Sequence, residues 1–265
     1  MKTIFLFLLL FHLNSYATEQ VTYKFGIVPQ QSATILLEKW APLIKKMSQD
    51  CSCKIEFQTA SDITQFELNI KKGEYDLVYL NPFHFVENQS IGYNALVREE
   101  DRKLVGVLVV KKDSPIKTLE DLNKKQIAFP GPTAFAASIL VTKLLNSKKV
   151  SFDPLYVKSH ESVYLNVISG LTAAGGGVNR TLDALSDADK NQLRVLATTQ
   201  GVTPHPIAIH KRVNTEIKNL FLKTLTNLKN SVEGKQMLDN LELKYLIQAK
   251  NSDWDDVRKI IEITN

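Results

Sequence analysis

VTYKFGIVPQQSATILLEKW, residues 21–40, carries the reading that sets the architecture. Val21–Val28 is an apolar-rich run suited to a buried strand. Pro29, Gln30 and Gln31 make a turn, and Ser32 is placed to cap a helix running to about Gln49. Ile35, Leu36, Trp40, Leu43, Ile44 and Met47 recur at helical spacing and mark its apolar stripe. A strand feeding directly into an amphipathic helix is the opening of an α/β unit.

The unit repeats outward from there. Lys54–Gln58 reads as a second strand, Asp62 caps a helix ending at Gly73, and Tyr75–Leu80 is a third strand. Lys103–Val110 and Gln126–Phe129 follow as strands, and Thr133–Asn146 as a helix. Leu155–Lys158, a helix from His160, Thr172–Gly175 and Leu193–Thr198 continue the alternation. Pro206–His210 is one more strand, after which only helices are expected: Asn214–Lys229, Glu233–Asn240 and Trp254–Ile263. Short strands alternating with helices predict a mostly parallel sheet covered on both faces. Two lobes suit this element count better than one very wide sheet. Their crossings are placed near Lys111–Asp113 and Pro204–Pro206, giving residues 18–110 with 207–265 as lobe 1 and residues 111–206 as an inserted lobe 2. Lobes of this kind close by hinge bending on a ligand held between them.

The 265 residues are 44% hydrophobic and 23% charged, within the range of soluble globular proteins. MKTIFLFLLLFHLNSYA, residues 1–17, has one Lys, a short apolar run and small residues at Ser15 and Ala17, which predicts a secretory signal cleaved after Ala17 and export to the periplasm. The formal charge of +5 comes from Lys residues scattered on helical faces, such as Lys45-Lys46 and Lys148-Lys149. No basic run interleaved with aromatics occurs, so nucleic acid is not expected as a partner. The charge suits an anionic small ligand. Cys51 and Cys53 are compatible with a local disulfide or with free thiols, and two thiolates alone make a poor metal site.

AFPGPTAFAAS, residues 128–138, reads as a strand end, a turn broken by Pro130, Gly131 and Pro132, and a helix opening at Thr133. A helix start presents unpaired N–H groups and partial positive charge, a ready place for an anion. Gly176 and Gly177, in AAGGGV, remove side chains where a strand meets a helix. That permits close backbone approach to a ligand, or tight packing.

FGIVPQQSATILLEKWAPLIKKM, GEYDLVYLNPFHFVE, KKDSPIKTLEDL, SHESVYLNVISG and AAGGGV together resemble the phosphonate-binding-protein-like branch of periplasmic solute-binding proteins. The resemblance covers about residues 22–250. It implies the two-lobed type II periplasmic binding fold with a central cleft, and delivery of phosphonate, phosphite or phosphate to an ABC importer. Related domains also present ligands to sensor kinases, and that partner stays open as the alternative to a permease.

In this family the helix start corresponding to AFPGPTAFAAS usually carries hydroxyl residues that hold the oxyanion. Here Thr133 is followed by Ala134, Phe135, Ala136 and Ala137, so backbone donors remain and most hydroxyls do not. A helix N-terminus contributes roughly 0.3–1 kcal/mol toward an anion, against about 8 kcal/mol for micromolar binding, so other donors must contribute. The family position of His160 contacts ligand; its place after Ser159 at a helix start favours a neutral ring. Arg180 stands near where aminophosphonate binders place an acid, which would repel an amine and favour a second negative charge; an exposed helix Arg is the other reading. His205, between two prolines, faces either the cleft or the hinge packing. From the first lobe, Gln30, Gln31 and Ser32, then Tyr79, Asn81 and Phe83, lie after strands, where open α/β sheets bind ligands. Weak binding of simple phosphate is expected. His84 and His210 add no HxH or HxxxH spacing and no GxSxG elbow occurs, so neither a metal, a cofactor nor catalysis is expected. A monomer is expected.

Overall fold

The computed structural model describes residues 21–262; the expected signal peptide and its cleavage site lie outside the described residues. In chain order the elements are β1 (Thr22–Ile27), α1 (Ala33–Cys51), β2 (Lys54–Gln58), α2 (Ile63–Lys71), β3 (Leu77–Tyr79), α3 (Pro82–Glu87), β4 (Tyr93–Glu99), β5 (Gly106–Lys111), β6 (Lys125–Phe129), α4 (Val141–Ser147), β7 (Phe152–Tyr156), α5 (His160–Ile168), β8 (Ala174–Val178), α6 (Asn179–Asp183), α7 (Asp187–Lys190), β9 (Leu193–Thr198), β10 (Ile207–His210), α8 (Thr215–Asn227), α9 (Val232–Asn240), β11 (Leu246–Gln248) and α10 (Asp255–Glu262). None of the described helices is long and apolar enough to cross a membrane.

Two sheets result: β11-β4-β10-β3-β1-β2 and β7-β6-β8-β5-β9. Each is parallel at one end, where β1 pairs with β2 and β3, and β6 with β7 and β8. Each is antiparallel at the other, through β10 and β4 or through β5 and β9. The expectation of mostly parallel sheets is corrected by the strands at the crossings. A chain that leaves one sheet for the other and returns enters each from the reverse direction.

β5 is likewise in the five-stranded sheet, not with β1–β4. Val107, Leu108, Val109 and Val110 are all fully buried, and a run apolar on both faces fits the interior of either sheet. The first passage between sheets is therefore residues 100–105, upstream of Lys111–Asp113. It runs beside the second passage, residues 199–206, and Leu104 and Val202 exchange both backbone hydrogen bonds at 2.8 and 2.9 Å. β4 and β11 are strands the sequence reading did not contain. β11 is three residues long and pairs at the sheet edge, beyond the reach of a period-two pattern.

Local signals fare better. Ser32, Asp62 and Ser159 cap α1, α2 and α5 through their side-chain oxygens, as expected. α1 buries Leu36, Trp40, Leu43, Ile44 and Met47 against β1–β3; Ile35, counted in the same stripe, is exposed. Cys51 ends α1, and Ser52 takes a left-handed conformation that turns the chain so that Cys51 and Cys53 form a disulfide across a Cα separation of 5.1 Å. The main core also takes in Phe135, Ala136, Leu140 and Val178 from the second sheet's side, so the two halves share buried apolar surface.

Candidate functional site

The stretch after β6 does not open an α-helix at Thr133. Gly131 O accepts from the Ala134 N–H and the Ser138 hydroxyl, and residues Phe135–Leu140 form a π-helical turn before α4. π-turns recur at functional sites because the extra residue per turn redirects backbone groups. No acceptor within the described residues meets the N–H groups of Phe135, Ala136 and Ala137. These residues line a small cavity of about 10 Å³ shared with Gln30, Asn81, His160 and His205. That is room for about one water.

A second cavity, of about 70 Å³, adjoins it at Gln30, Val178 and His205 and extends to Glu99, Arg102, Lys103, Asn179 and Arg180. Both lie between the two sheets. Gln30 comes from the turn after β1, Asn81 from the cap of α3, and His160 from the first turn of α5. Arg180 comes from the first turn of α6, Glu99 from the end of β4, and Arg102 and His205 from the crossings. Sheet ends and crossings thus converge on one crevice, as open α/β folds require.

Of the expected residues, Gln30, Asn81, Ala134, Phe135, His160, Arg180 and His205 line these cavities. Tyr79 does not, yet its hydroxyl receives a hydrogen bond from Arg180, and its ring stacks on His205 with centroids 5.3 Å apart. Phe83 stacks on Phe135 across the crevice, 6.4 Å between centroids. Thr133 contributes its carbonyl to the Asn81 side-chain amide at 3.1 Å, and its buried hydroxyl sits beside Glu67. Gln31 and exposed Ser32 stay outside; Ser32 spends its oxygen on the α1 cap.

Gly176 and Gly177 do not approach the cavities. A Cβ on Gly176 would lie 2.1 Å from the Ala137 carbonyl oxygen, and one on Gly177 would lie 2.2 Å from the Tyr164 hydroxyl. The Gly-rich strand is there so that the π-turn and α5 can press against β8. Gly176→Ala should therefore lower stability by about 1–3 kcal/mol through overpacking. Urea unfolding measures it, and an unchanged midpoint would refute the packing role.

Arg180 is not an unpaired cation. Its Nη2 lies 3.1 Å from the Glu99 carboxylate. Glu99, 1% exposed, also accepts from Arg102 Nη1 at 3.0 Å and from the Lys244 N–H at 2.9 Å. Glu99 and Arg102 escaped the sequence reading because VREEDRK, residues 97–103, resembles a solvated charge run. The available signal was its position directly after an apolar run and before the crossing.

Two crevice histidines, His160 and His205, are held in the neutral form by burial. Burial pushes His160 down to about 4. Burial, reinforced by Arg180, depresses His205 well below the ordinary imidazole value. His160 Nδ1 is buried without a hydrogen-bond partner, and so is Arg180 Nε. His205 Nε2 and Gln30 Nε2 are 3.2 Å apart. Among the described residues no cluster of His, Cys, Asp or Glu could hold a metal ion. Chemically, the crevice offers backbone and imidazole donors at one end and guanidinium groups at the other.

Comparison with known proteins bears on this arrangement. A model of the family described as "ABC transporter, phosphonate, periplasmic substrate-binding protein" matches residues 25–254. The phosphate-import protein PhnD of Mycolicibacterium smegmatis is 23% identical, with the match covering 92% of this chain and 86% of that protein. A binding-protein component of an ABC phosphonate transporter from Pseudomonas aeruginosa superposes with a TM-score of 0.86 at 17% identity, over 92% of this chain and 87% of the other. PhnD1 of Prochlorococcus marinus, in complex with methylphosphonate, superposes with a TM-score of 0.84 at 16% identity, over 92% and 98%. The architecture is thus the type II periplasmic binding fold.

Proposed function

Since this chain belongs to the family of periplasmic substrate-binding proteins of phosphonate ABC transporters, we propose that it captures a small phosphonate-like oxyanion in the crevice and delivers it to a membrane permease. The single observation that carries this is the set of unsatisfied donors converging there. They are the amides of Phe135–Ala137, the unpartnered His160 ring and, beyond them, Arg180. Buried polar groups left without partners are costly, and a ligand oxygen supplies what they lack.

The two sheets with their helices act as lobes, roughly residues 21–99 with 207–262 and residues 106–198. They open and close about the paired crossings at Leu104 and Val202, as hinge-bent binding proteins do. The volume beside His160 is tighter than a phosphonate requires, so the lobes part to admit the ligand and close again around it. Import rather than sensor-kinase signalling is the assigned role, supported by the import and transport functions named for the relatives. The protein works as an exported monomer, freed of its signal after Ala17, and releases its ligand chemically unchanged. Phosphonate recovered intact after prolonged incubation checks that last statement.

Isothermal titration with methylphosphonate, phosphite and phosphate tests the reading. Methylphosphonate should bind and phosphate only weakly, because the hydroxyl run is replaced by Ala134, Ala136 and Ala137. His160→Ala should weaken the oxyanion about tenfold or more, the loss of one hydrogen bond to a charged group. If none of the three anions binds, the assignment fails.

A further inference from the structure

The larger cavity has a donor and acceptor balance that narrows the ligand further, granted the oxyanion reading above. Its one carboxylate is already spoken for. Glu99 accepts three hydrogen bonds, from Arg180, Arg102 and the Lys244 amide. Little acceptor capacity remains to receive a ligand's ammonium group.

What the cavity has to spare is donors, and cationic ones. Arg180 Nε is buried and unpartnered. Arg102 uses only Nη1, toward Glu99 and the Glu242 carbonyl. Lys103, at the exposed mouth, makes no ion pair among the described residues. Three cations face one carboxylate here, leaving an excess of two positive charges. The smaller cavity, by contrast, is lined by no charged side chain.

The two are also distinct in size and joined end to end. About 70 Å³ beside the cations corresponds to roughly five water positions at ~10–15 Å³ each, enough for a planar carboxylate and its neighbouring carbon. Gln30 and His205 line both cavities, so a ligand lying across them would touch each. A guanidinium matches a carboxylate in shape and donor geometry.

We propose that the crevice is built for a phosphonocarboxylate: the phosphonate at the Phe135–Ala137 amides and His160, the carboxylate in the cavity of Arg102, Lys103 and Arg180. Aminophosphonates are disfavoured for the same reason, since their ammonium group meets the excess positive charge.

Titrating the full-length mature protein with phosphonoacetate, methylphosphonate and 2-aminoethylphosphonate tests this. Phosphonoacetate should bind about tenfold or more tighter than methylphosphonate, as one charge-assisted contact warrants, with 2-aminoethylphosphonate weakest. Arg102→Gln and, at an exposed position that does not threaten folding, Lys103→Gln should each reduce the ratio of the two acid ligands' Kd values. Equal affinity for phosphonoacetate and methylphosphonate overturns the proposal and leaves the oxyanion reading standing. So does an equal loss for both ligands in the variants, which would place the oxyanion itself among the cations. If no phosphonate binds, the oxyanion reading falls and this proposal with it.

Discussion

Glu99→Ala should destabilise the ligand-free protein by about 3 kcal/mol, near the lower end of what breaking a buried ion pair costs. Glu99 is 1% exposed and is the shared acceptor for Arg180, which reaches it from α6, and Arg102, three residues on in the first passage. Removing it leaves two guanidinium groups facing each other without an anion, and frees the Lys244 amide as well. Both arginine side chains keep some contact with water, 18% and 28% exposed, and solvent therefore relieves part of the penalty. Glu99→Gln, which keeps an acceptor but not the charge, should fall between. Urea unfolding of the three proteins without ligand gives the comparison, and a loss under about 1 kcal/mol for Glu99→Ala would mean that the charges are satisfied elsewhere. The same substitution removes a link between the lobes, so small-angle scattering should report a more open population.

The second large effect is a loss of stability in mild acid. His160 has a folded pKa of about 4 because it is buried, against an ordinary value of 6.5. Above pH 6.5 the ring is neutral in both states and its full contribution is present. As pH falls from 6.5 toward 4 the unfolded chain takes up a proton that the folded chain refuses, so stability declines through that window. The shift corresponds to about 3 kcal/mol by pH 4. No carboxylate lines the cavity around His160 to favour its protonated form. His205 moves in the same direction and adds to the slope. Unfolding free energies measured from pH 7 to 4.5 should therefore fall more steeply for the wild type than for His160→Asn. Parallel curves would show that His160 accepts its proton while folded. For ligand capture the consequence is a ring that stays a neutral donor across the whole neutral range.

Much of this molecule was legible one segment at a time. Ser32, Asp62 and Ser159 cap their helices because a short side-chain oxygen satisfies an N–H two or three residues on, an interaction that needs no tertiary partner. The α1 stripe and the buried strands follow from apolar periodicity; the resemblance pointed to His160 and to the loops of Gln30 and Asn81, and a place between two prolines pointed to His205, and all four line the cavities between the sheets. Ala134–Ala137 was correctly seen as a run with donors but few hydroxyls. Its form as a π-turn was not, since that depends on Ser138 and Ala134 both closing onto Gly131 and on β8 having no side chains beneath.

By itself, then, the order of residues determined the repeating strand–helix units, their caps, the two-sheet architecture and the family. Only the tertiary structure decided that β5 joins the second sheet, that Gly176 and Gly177 serve packing, and that Arg180 already has a carboxylate beside it. The reason is physical: caps and periodicity are local, whereas strand pairing and the ion pair between Glu99 and Arg180 join residues 81 positions apart. A charge looks alike in sequence whether water or another buried charge will neutralise it.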